Sequence, residues 1–314
     1  MATSIAFSPH YIQEQHYMDT LKQGLLVAQS VTAAEEAEMR KLLEICNNYE
    51  HLHIRFSQRD VRALLDDASP DFLYYEQGQL VGCLVFDSFG PKKRELLGMV
   101  HPDYRRKGIF STLLAAAKKE CAARGVQRLI FVVERDSPAG QAFVASVGAQ
   151  YDFSEYEMVL ATFHDRMAFD ERLNYRKAND NDLDLLASIM VDSFGEPEES
   201  VRSRVAWRLR DPHCRFYVAT FGEASLGCKE PVGCLRLQET NDAISIYGFG
   251  IRPDYRGRGY GRQMLEETIR EIRPHSQKQI TLEVNTNNNN AFGLYRSVGF
   301  TVRTTYDYYN LDIA

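Results

Sequence analysis

The residues best placed to do chemistry are Arg256-Gly257-Arg258-Gly259-Tyr260-Gly261. They follow a strand-like run, Ala243 to Ile251, and open a helix-like one, Tyr260 to Ile272. Glycines at this spacing let the backbone come close to an anion. The first helical turn adds unpaired N–H groups and the positive end of the helix dipole. The chemistry this suits is phosphate binding, with Arg256, Arg258 and Arg262 adding positive charge; a glycine-rich turn carrying solvated arginines is the alternative reading. A second signal lies at Gln279–Asn285, where Ile280, Leu282 and Val284 alternate with Thr281, Glu283 and Asn285. A strand covered by helices on both sides should be apolar on both faces, so this polar set marks a face that lines a cavity. Glu283 there could take up a proton, or could be a structural carboxylate bonded to neighbouring backbone. Two glycines in the preceding strand, within Gly248-Phe249-Gly250-Ile251, indicate a bulge or a close backbone approach, or simple packing relief.

The elements that must position these residues follow from periodicity. A short strand is expected near Leu173–Ala178, then helices at Asp180–Ser193 and Glu198–Arg210. Strands follow at Arg215–Thr220, Pro231–Gln238 and Ala243–Ile251. After the loop, Met264, Leu265, Thr268, Ile269 and Ile272 fall on one helical face. A strand at Gln279–Asn285, a helix at Asn289–Ser297 and two strands at Thr301–Tyr306 and Tyr308–Asp312 close the chain. The expected class is mixed α/β, a central mixed sheet flanked by helices.

The chain repeats itself. Val81-Gly82-Cys83-Leu84 recurs at Val232, Pro102-Asp103-Tyr104-Arg105 at Pro253, and Ser146-Val147-Gly148 at Ser297, all with the same offset of 151 residues. A constant offset over three separated segments indicates a tandem duplication of a domain-sized unit. The boundary is placed near Ala161 to Arg172, giving domains at residues 1–162 and 173–314. The length, 314 residues, suits two domains.

Two motifs in order, Arg-x-x-Gly-x-Gly after a strand and Asn288-x-x-Ala291-x-x-Leu294-Tyr295-x-x-x-Gly299-Phe300, resemble the GNAT family of acyl-CoA-dependent N-acetyltransferases. The tandem arrangement is similar to that of the mycothiol synthases and of other two-domain acetyltransferases. The resemblance implies acetyl-CoA as cosubstrate, with no metal, and direct attack by a primary amine in a ternary complex. It implies that backbone N–H groups from Arg256 to Arg262 hold the pyrophosphate and that Phe249, Gly250 and Ile251 meet the thioester. It also implies that Asn288 contacts the pantetheine, and that Tyr295 protonates the departing thiolate. A phenol near pKa ~10 can serve a thiolate whose acid lies near ~8.5. Asn288 also fits a helix N-cap, and the two roles are compatible. Glu283, twelve residues before Tyr295, stands at an acid–base spacing similar to that of ribosomal-protein alanine acetyltransferases. Glu239 is a weaker candidate for the base, and Ser245 stands where mycothiol synthases keep a carboxylate.

The first half departs from this pattern. Its loop reads Arg105-Arg106-Lys107-Gly108-Ile109-Phe110, which places a ring where the backbone should meet phosphate. Val144 stands at the Tyr295 position, Val132 at Glu283, Ile130 at Thr281 and Ser137 at Asn288. The first domain is therefore expected to keep the fold without the catalysis.

Net charge is −6, which argues against a general nucleic-acid binder. Met1 to Tyr17 is mixed and polar, and no apolar run reaches spanning length, so no membrane role is expected. Cys46, Cys83, Cys121, Cys214, Cys228 and Cys234 are scattered, without a CxxC pair, and a reducing cytoplasm is the expected home. The expected partner is a small-molecule or peptide amine, and the chain could be a monomer or a homodimer. Acidic residues in Phe194-Gly195-Glu196-Pro197-Glu198-Glu199, near Tyr306, Tyr308 and Tyr309, could attract a cationic amine or form an ordinary solvated loop. A non-enzymatic acyl-CoA-binding or scaffold protein is the rival class, and a longer acyl donor a further possibility.

Overall fold

The computed structural model describes residues 22–54, 69–88, 92–166, 170–221 and 230–313. Cys228 and the Met1–Tyr17 stretch lie outside the described residues. The chain forms two compact units, Met1–Asp152 with Asp307–Ala314, and Phe153–Tyr306.

In the first unit the elements are β1 (Gly24–Ala28), α1 (Ala33–Glu50), β2 (Asp71–Glu76), β3 (Gln79–Ser88), β4 (Lys93–Val100), α2 (Ile109–Ala123), β5 (Arg128–Glu134) and α3 (Pro138–Ser146). The strand β6 (Gln150–Leu160) then leads into the second unit. There follow β7 (Leu173–Lys177), α4 (Leu183–Phe194), α5 (Glu198–Arg208), β8 (Cys214–Phe221), β9 (Glu230–Glu239) and β10 (Ala243–Ile251). The chain continues through α6 (Tyr260–Ile272), β11 (Gln279–Asn285), α7 (Asn289–Val298) and β12 (Phe300–Asp312). The strands β1 to β4, the strands β7 to β10, and β6 with β11 pair antiparallel, whereas β4 with β5 and β10 with β11 pair parallel. Among the described residues no helix is long and apolar enough to cross a membrane.

The sequence repeat and the compact unit do not coincide. In the second unit the neighbour of β11 is β6, the strand that ends the first repeat, paired from Thr281–Val159 to Asn285–Glu155. In the first unit the neighbour of β5 is the end of β12, the strand that ends the second repeat. Each unit therefore completes its sheet with a strand from the other repeat. Periodicity along the chain reports that a strand exists but not which edge it joins.

The expected break between Thr301–Tyr306 and Tyr308–Asp312 is absent, and β12 runs through as one strand. Asp307 is the residue between those two expected strands. It is buried, with Arg135 Nη2 at 2.6 Å from Oδ1 and Gln141 Nε2 at 3.2 Å from Oδ2, so the strand carries a carboxylate without turning. Tyr306 and Tyr308, read as acceptor-side residues, are buried at 2% and 5% exposure.

Apolar spacing explains the helices. Met264, Leu265, Ile269 and Ile272 on α6 are buried, as their spacing predicts. In the second unit Leu265, Ile269, Tyr295 and Val298 from α6 and α7 pack on Ile244, Ile246, Ile280, Leu282 and Val284. Residues of α4 and α5 pack on the other face, against Phe216, Val218 and Cys234. In the first unit α1 begins with a capping box: Thr32 Oγ1 accepts from the Glu35 N–H at 3.2 Å, and Glu35 accepts from the Thr32 N–H at 2.8 Å.

Lys22 Nζ, 2.7 Å from Glu35, and the bonds from Thr32 hold the Glu35 carboxyl down at about 2. A depressed carboxylate stabilises above its ordinary pKa and loses that contribution as pH falls toward the folded value. Glu35→Ala should therefore cost about 1 kcal/mol at neutral pH. In denaturant titrations the gap from the parent protein should close as pH falls from the ordinary carboxylate range toward about 2. A gap unchanged with pH would contradict this.

Candidate active site

The glycine loop is built on backbone geometry. A short 3-10 turn, Pro253–Tyr255, ends β10, and Gly257 and Gly259 then take φ of +74° and +87°. Nothing lies within 4 Å of a Cβ built on either glycine, so it is the left-handed backbone that requires them. Gly259 is the N-cap of α6 and supplies no side-chain cap; its carbonyl accepts from the Gln263 N–H at 3.1 Å. The N–H groups of Tyr260, Gly261 and Arg262 precede that first helical bond and have no intrahelical partner. This is an anion cradle in backbone form.

The arginines divide. Arg256 donates from Nε to the Ile251 carbonyl at 2.9 Å and from Nη2 to the Ser193 carbonyl at 3.0 Å, pinning the loop to the ends of β10 and α4. Arg105 makes the same Nε bond to the Val100 carbonyl at 3.1 Å in the first unit. Arg262 turns to α7, where it bonds Ser297, and pairs with Glu266 at 3.1 Å. Arg258, exposed as Arg256 is, has no hydrogen bond or ion pair among the described residues, and its guanidinium lies 5.6 Å from the Tyr255 ring centre. The Tyr260 ring is buried, with its hydroxyl donating to Asp170 at 3.3 Å, so only its backbone faces the cradle.

Beside the loop, the parallel ladder of β10 and β11 runs from Ala243–Gln279 to Ile246–Leu282 and stops, although both strands continue. On its other side β10 slips register against β9 between Tyr247 and Gly250. Gly248, at φ +54°, forms that bulge. Gly250 answers a different need: a Cβ there would sit 2.7 Å from Ser193 Cβ. The two glycines thus serve one bulge and one close approach. Phe249 and Ile251 lie where the strands have parted, so backbone groups of β10 are released from the ladder toward the gap.

Tyr295 on α7 is 7% exposed, and its ring lies 6.3 Å from that of Phe249 and 6.2 Å from that of Phe300. Burial pushes its phenol up to about 12. Among the described residues its hydroxyl has no hydrogen-bond partner. Asn288 is the N-cap of α7, its Oδ1 accepting from the Ala291 N–H at 3.1 Å, which leaves its amide N–H groups for other use. Ser137 caps α3 in the same way through the Gly140 N–H at 3.2 Å.

The polar face expected on β11 is present. Ser245 Oγ and Thr281 Oγ1 are 2.8 Å apart, and Glu283 is half-buried two residues further along the same face. Glu283 stands opposite Glu157 of β6. Arg303 neutralises Glu157, with Nη2 at 2.6 Å and Nε at 2.8 Å. No sequence signal pointed to Glu157, because its strand belongs to the other repeat. Glu239 lies at the far end of β9, held by Lys278 at 2.8 Å and Arg215 at 3.3 Å, and its carboxyl is lowered chiefly by Lys278.

The first unit has a cavity of about 570 Å³ at the matching position, lined by Gly98, Arg105, Gly108, Phe110, Glu134 and Phe143 among others. Gly108 keeps the left-handed turn, at φ +78°, and Arg106 takes +61° where the second unit has Gly257. Phe110 does not project where the sequence suggested. Its ring packs edge-on to Phe143 at 4.6 Å and lies over Gly98, whose Cβ would sit 2.5 Å from it. Gly98 matches Phe249 and Phe110 matches Gly261, so the two repeats have exchanged ring and glycine between strand and helix. A volume-conserving exchange of this kind keeps the packing.

A family model described as the acetyltransferase (GNAT) family matches residues 35–149 and again 183–300, most of the chain. The chain belongs to the GNAT acetyltransferase family, as a tandem pair of GNAT domains, and is an acyltransferase enzyme. It is 26% identical over 244 residues to a mycothiol acetyltransferase from Thermobispora bispora, covering 73% of this chain and 79% of that one. It is 37% identical over 93 residues to the N-alpha-acetyltransferase RimI of Mycobacterium tuberculosis, covering 29% of this chain and 55% of that one. In fold it is similar to a GCN5-related N-acetyltransferase from Sphaerobacter thermophilus, with a TM-score of 0.75 at 18% identity, covering 94% and 97% of the two chains. It is also similar to a tandem GNAT protein from the clavulanic acid biosynthesis pathway, at 0.69 and 17% identity, covering 92% and 99%.

The glycines of the loop should respond unequally to substitution. Gly259→Ala forces a side chain into a left-handed turn at about 1–2 kcal/mol, which should weaken acetyl-CoA binding by roughly tenfold. Gly261→Ala places a Cβ 3.4 Å from Leu294, an ordinary contact, and should leave affinity within a factor of about three. Equal losses in calorimetric titration would contradict the backbone argument.

Proposed function

We propose that the second unit transfers an acetyl group from acetyl-CoA to a primary amine by direct attack in a ternary complex. The observation that carries this reading is Tyr295, a buried phenol with an unpartnered hydroxyl beside the bulged strand. Binding alone does not need such a group. The residues fit the cosubstrate: Gly257 to Arg262 offer backbone N–H groups to a pyrophosphate, Arg258 offers charge, and Asn288 offers its amide to the pantetheine. Acetyl-CoA would supply a thioester, whose acyl carbon is the electrophile.

The chain's residues then have distinct tasks. Backbone groups of Phe249, Gly250 and Ile251, freed where β10 parts from β11, polarise the carbonyl. Glu283 takes the proton of the amine, directly or through water. Tyr295 gives the proton of Oη to the sulfur as the carbon–sulfur bond breaks. A phenol raised by burial stays protonated through the physiological range, so the donor keeps its proton available. The first unit has a cavity but Val144 and Val132 in place of the acid and the carboxylate, and this supports a ligand-holding, non-catalytic role for it. The named relatives differ in acceptor, so the acceptor is not taken from them.

The test is thioester cleavage by the full chain, since cutting between the repeats would separate β6 from β11. Release of free thiol from acetyl-CoA should require an added amine. Tyr295→Phe should lower kcat by about ten- to a hundredfold with little change in acetyl-CoA affinity. Lost affinity with unchanged turnover would overturn the proton-donor role. The pH profile adds a check of sign. The active form of Tyr295 is the protonated one, so it should impose no decline in kcat until pH approaches about 12. A falling limb between pH 8 and 10 that vanished in Tyr295→Phe would contradict the assignment.

A further inference from the structure

Two arginines of the second unit stand apart from its other charges. Arg236 on β9 is 8% exposed, its guanidinium 4.6 Å from the Tyr247 ring centre and its Nη1 donating to Gln238 Oε1 at 2.8 Å. Arg208, at the end of α5, is part-buried beside Trp207, 5.4 Å from that ring centre. Among the described residues neither arginine has a carboxylate within ion-pair distance. The nearby carboxylates are already engaged. Glu196 is spanned by both terminal nitrogens of Arg204 at 2.8 Å. Asp211 accepts from the His213 N–H at 2.8 Å and from Gln238 at 3.2 Å. The expected attraction of a cationic acceptor by Glu196 therefore loses its carboxylate to Arg204.

Burial, and then the charge of Arg236, push Arg208 down to about 10. Two part-desolvated guanidinium groups close enough to repel are relieved by an anion. Neither has a nitrogen that is both buried and unsatisfied, so their free edges reach solvent. The fork of a guanidinium matches a carboxylate.

Position decides what the anion belongs to. Arg236 pairs directly with Tyr247 across β9 and β10. On the other side of β10, Ser245 pairs with Thr281, so the next residue on this face of β11 is Glu283. Arg236 and Tyr247 thus lie on the face that carries Ser245 and Thr281, and Glu283 follows on that face of β11, across the gap where β10 and β11 have parted.

We propose that the acceptor is a small amine that carries a carboxylate, the carboxylate held by Arg208 and Arg236 and the amine turned to Glu283. The proposal rests on the acetyl-transfer reading for the direction of the amine. Its test is a matched panel of α-, β- and γ-amino acids with their carboxamides and decarboxylated amines, assayed for thiol release from acetyl-CoA. Binding of the same compounds is measured by calorimetry in the presence of coenzyme A. At least one acid should exceed its carboxamide by about tenfold or more in kcat/KM. Arg208→Gln should remove that preference through the acceptor KM, with acetyl-CoA KM unchanged, and Arg208→Lys should restore part of it. Arg236→Gln should act likewise; Arg208, less buried, serves if that variant does not fold.

Turnover of amines without any preference for the acids would overturn the proposal and leave the transferase intact. So would an acid preference that survives in Arg208→Gln. Carboxylate-selective, Arg208-dependent binding without thiol release would sustain the anion site and defeat the transferase reading.

Discussion

The site depends on two parallel strands that stop pairing before they end. Beyond Ile246–Leu282, β10 and β11 continue without a shared ladder, and the bulge at Gly248 turns β10 further from its regular course. A buried backbone group that leaves a ladder must find another partner. Here the released groups face the gap beside Tyr295, with the unpaired first turn of α6 close in sequence. Cradle, gap and phenol follow from one local failure of sheet pairing, which the apolar packing of α6 and α7 holds in place.

The duplication sets two versions of this loop and strand pair in one chain. Both units retain the Arg-to-carbonyl pin that closes the loop and the left-handed glycine before the helix. Both parallel pairs also end early, at Leu96–Phe131 in the first unit and Ile246–Leu282 in the second. They differ in where the large ring is placed. With Phe110 on the helix and Gly98 on the strand, the first unit packs as well as the second, yet its cavity meets valines where the second unit offers a phenol and a carboxylate. Packing tolerates the exchange because volume is conserved, whereas a hydroxyl and a carboxylate have no apolar equivalent.

Much of this was legible in the chain. Alternation placed β10 and β11 with their observed bounds, and the 3.6-residue spacing placed α6. The spacing of Gly257 and Gly259 marked a loop whose backbone can approach an anion, and Thr281 and Glu283 marked a polar face. Three things were not legible. Arg256 and Arg262 read as phosphate-facing charges, but long side chains settle on whatever acceptors the fold presents, here carbonyls and Ser297. The continuity of β12 through Asp307 was hidden because the partner of that carboxylate, Arg135, is remote in sequence. Phe110 read as an obstruction because the space that receives it, over Gly98, exists only when strand and helix are packed.

The sequence by itself determined the family and the duplication. Those properties reside in residue identity and spacing, and the constant offset let one repeat serve as control for the other. Tertiary structure alone decided which strands complete each sheet, with β6 set beside β11 and Glu157 opposite Glu283. It alone brought Arg208 and Arg236 together, from a helix end and a strand. The physical reason is that strand pairing and charge proximity act between residues far apart along the chain, and local pattern carries no record of them.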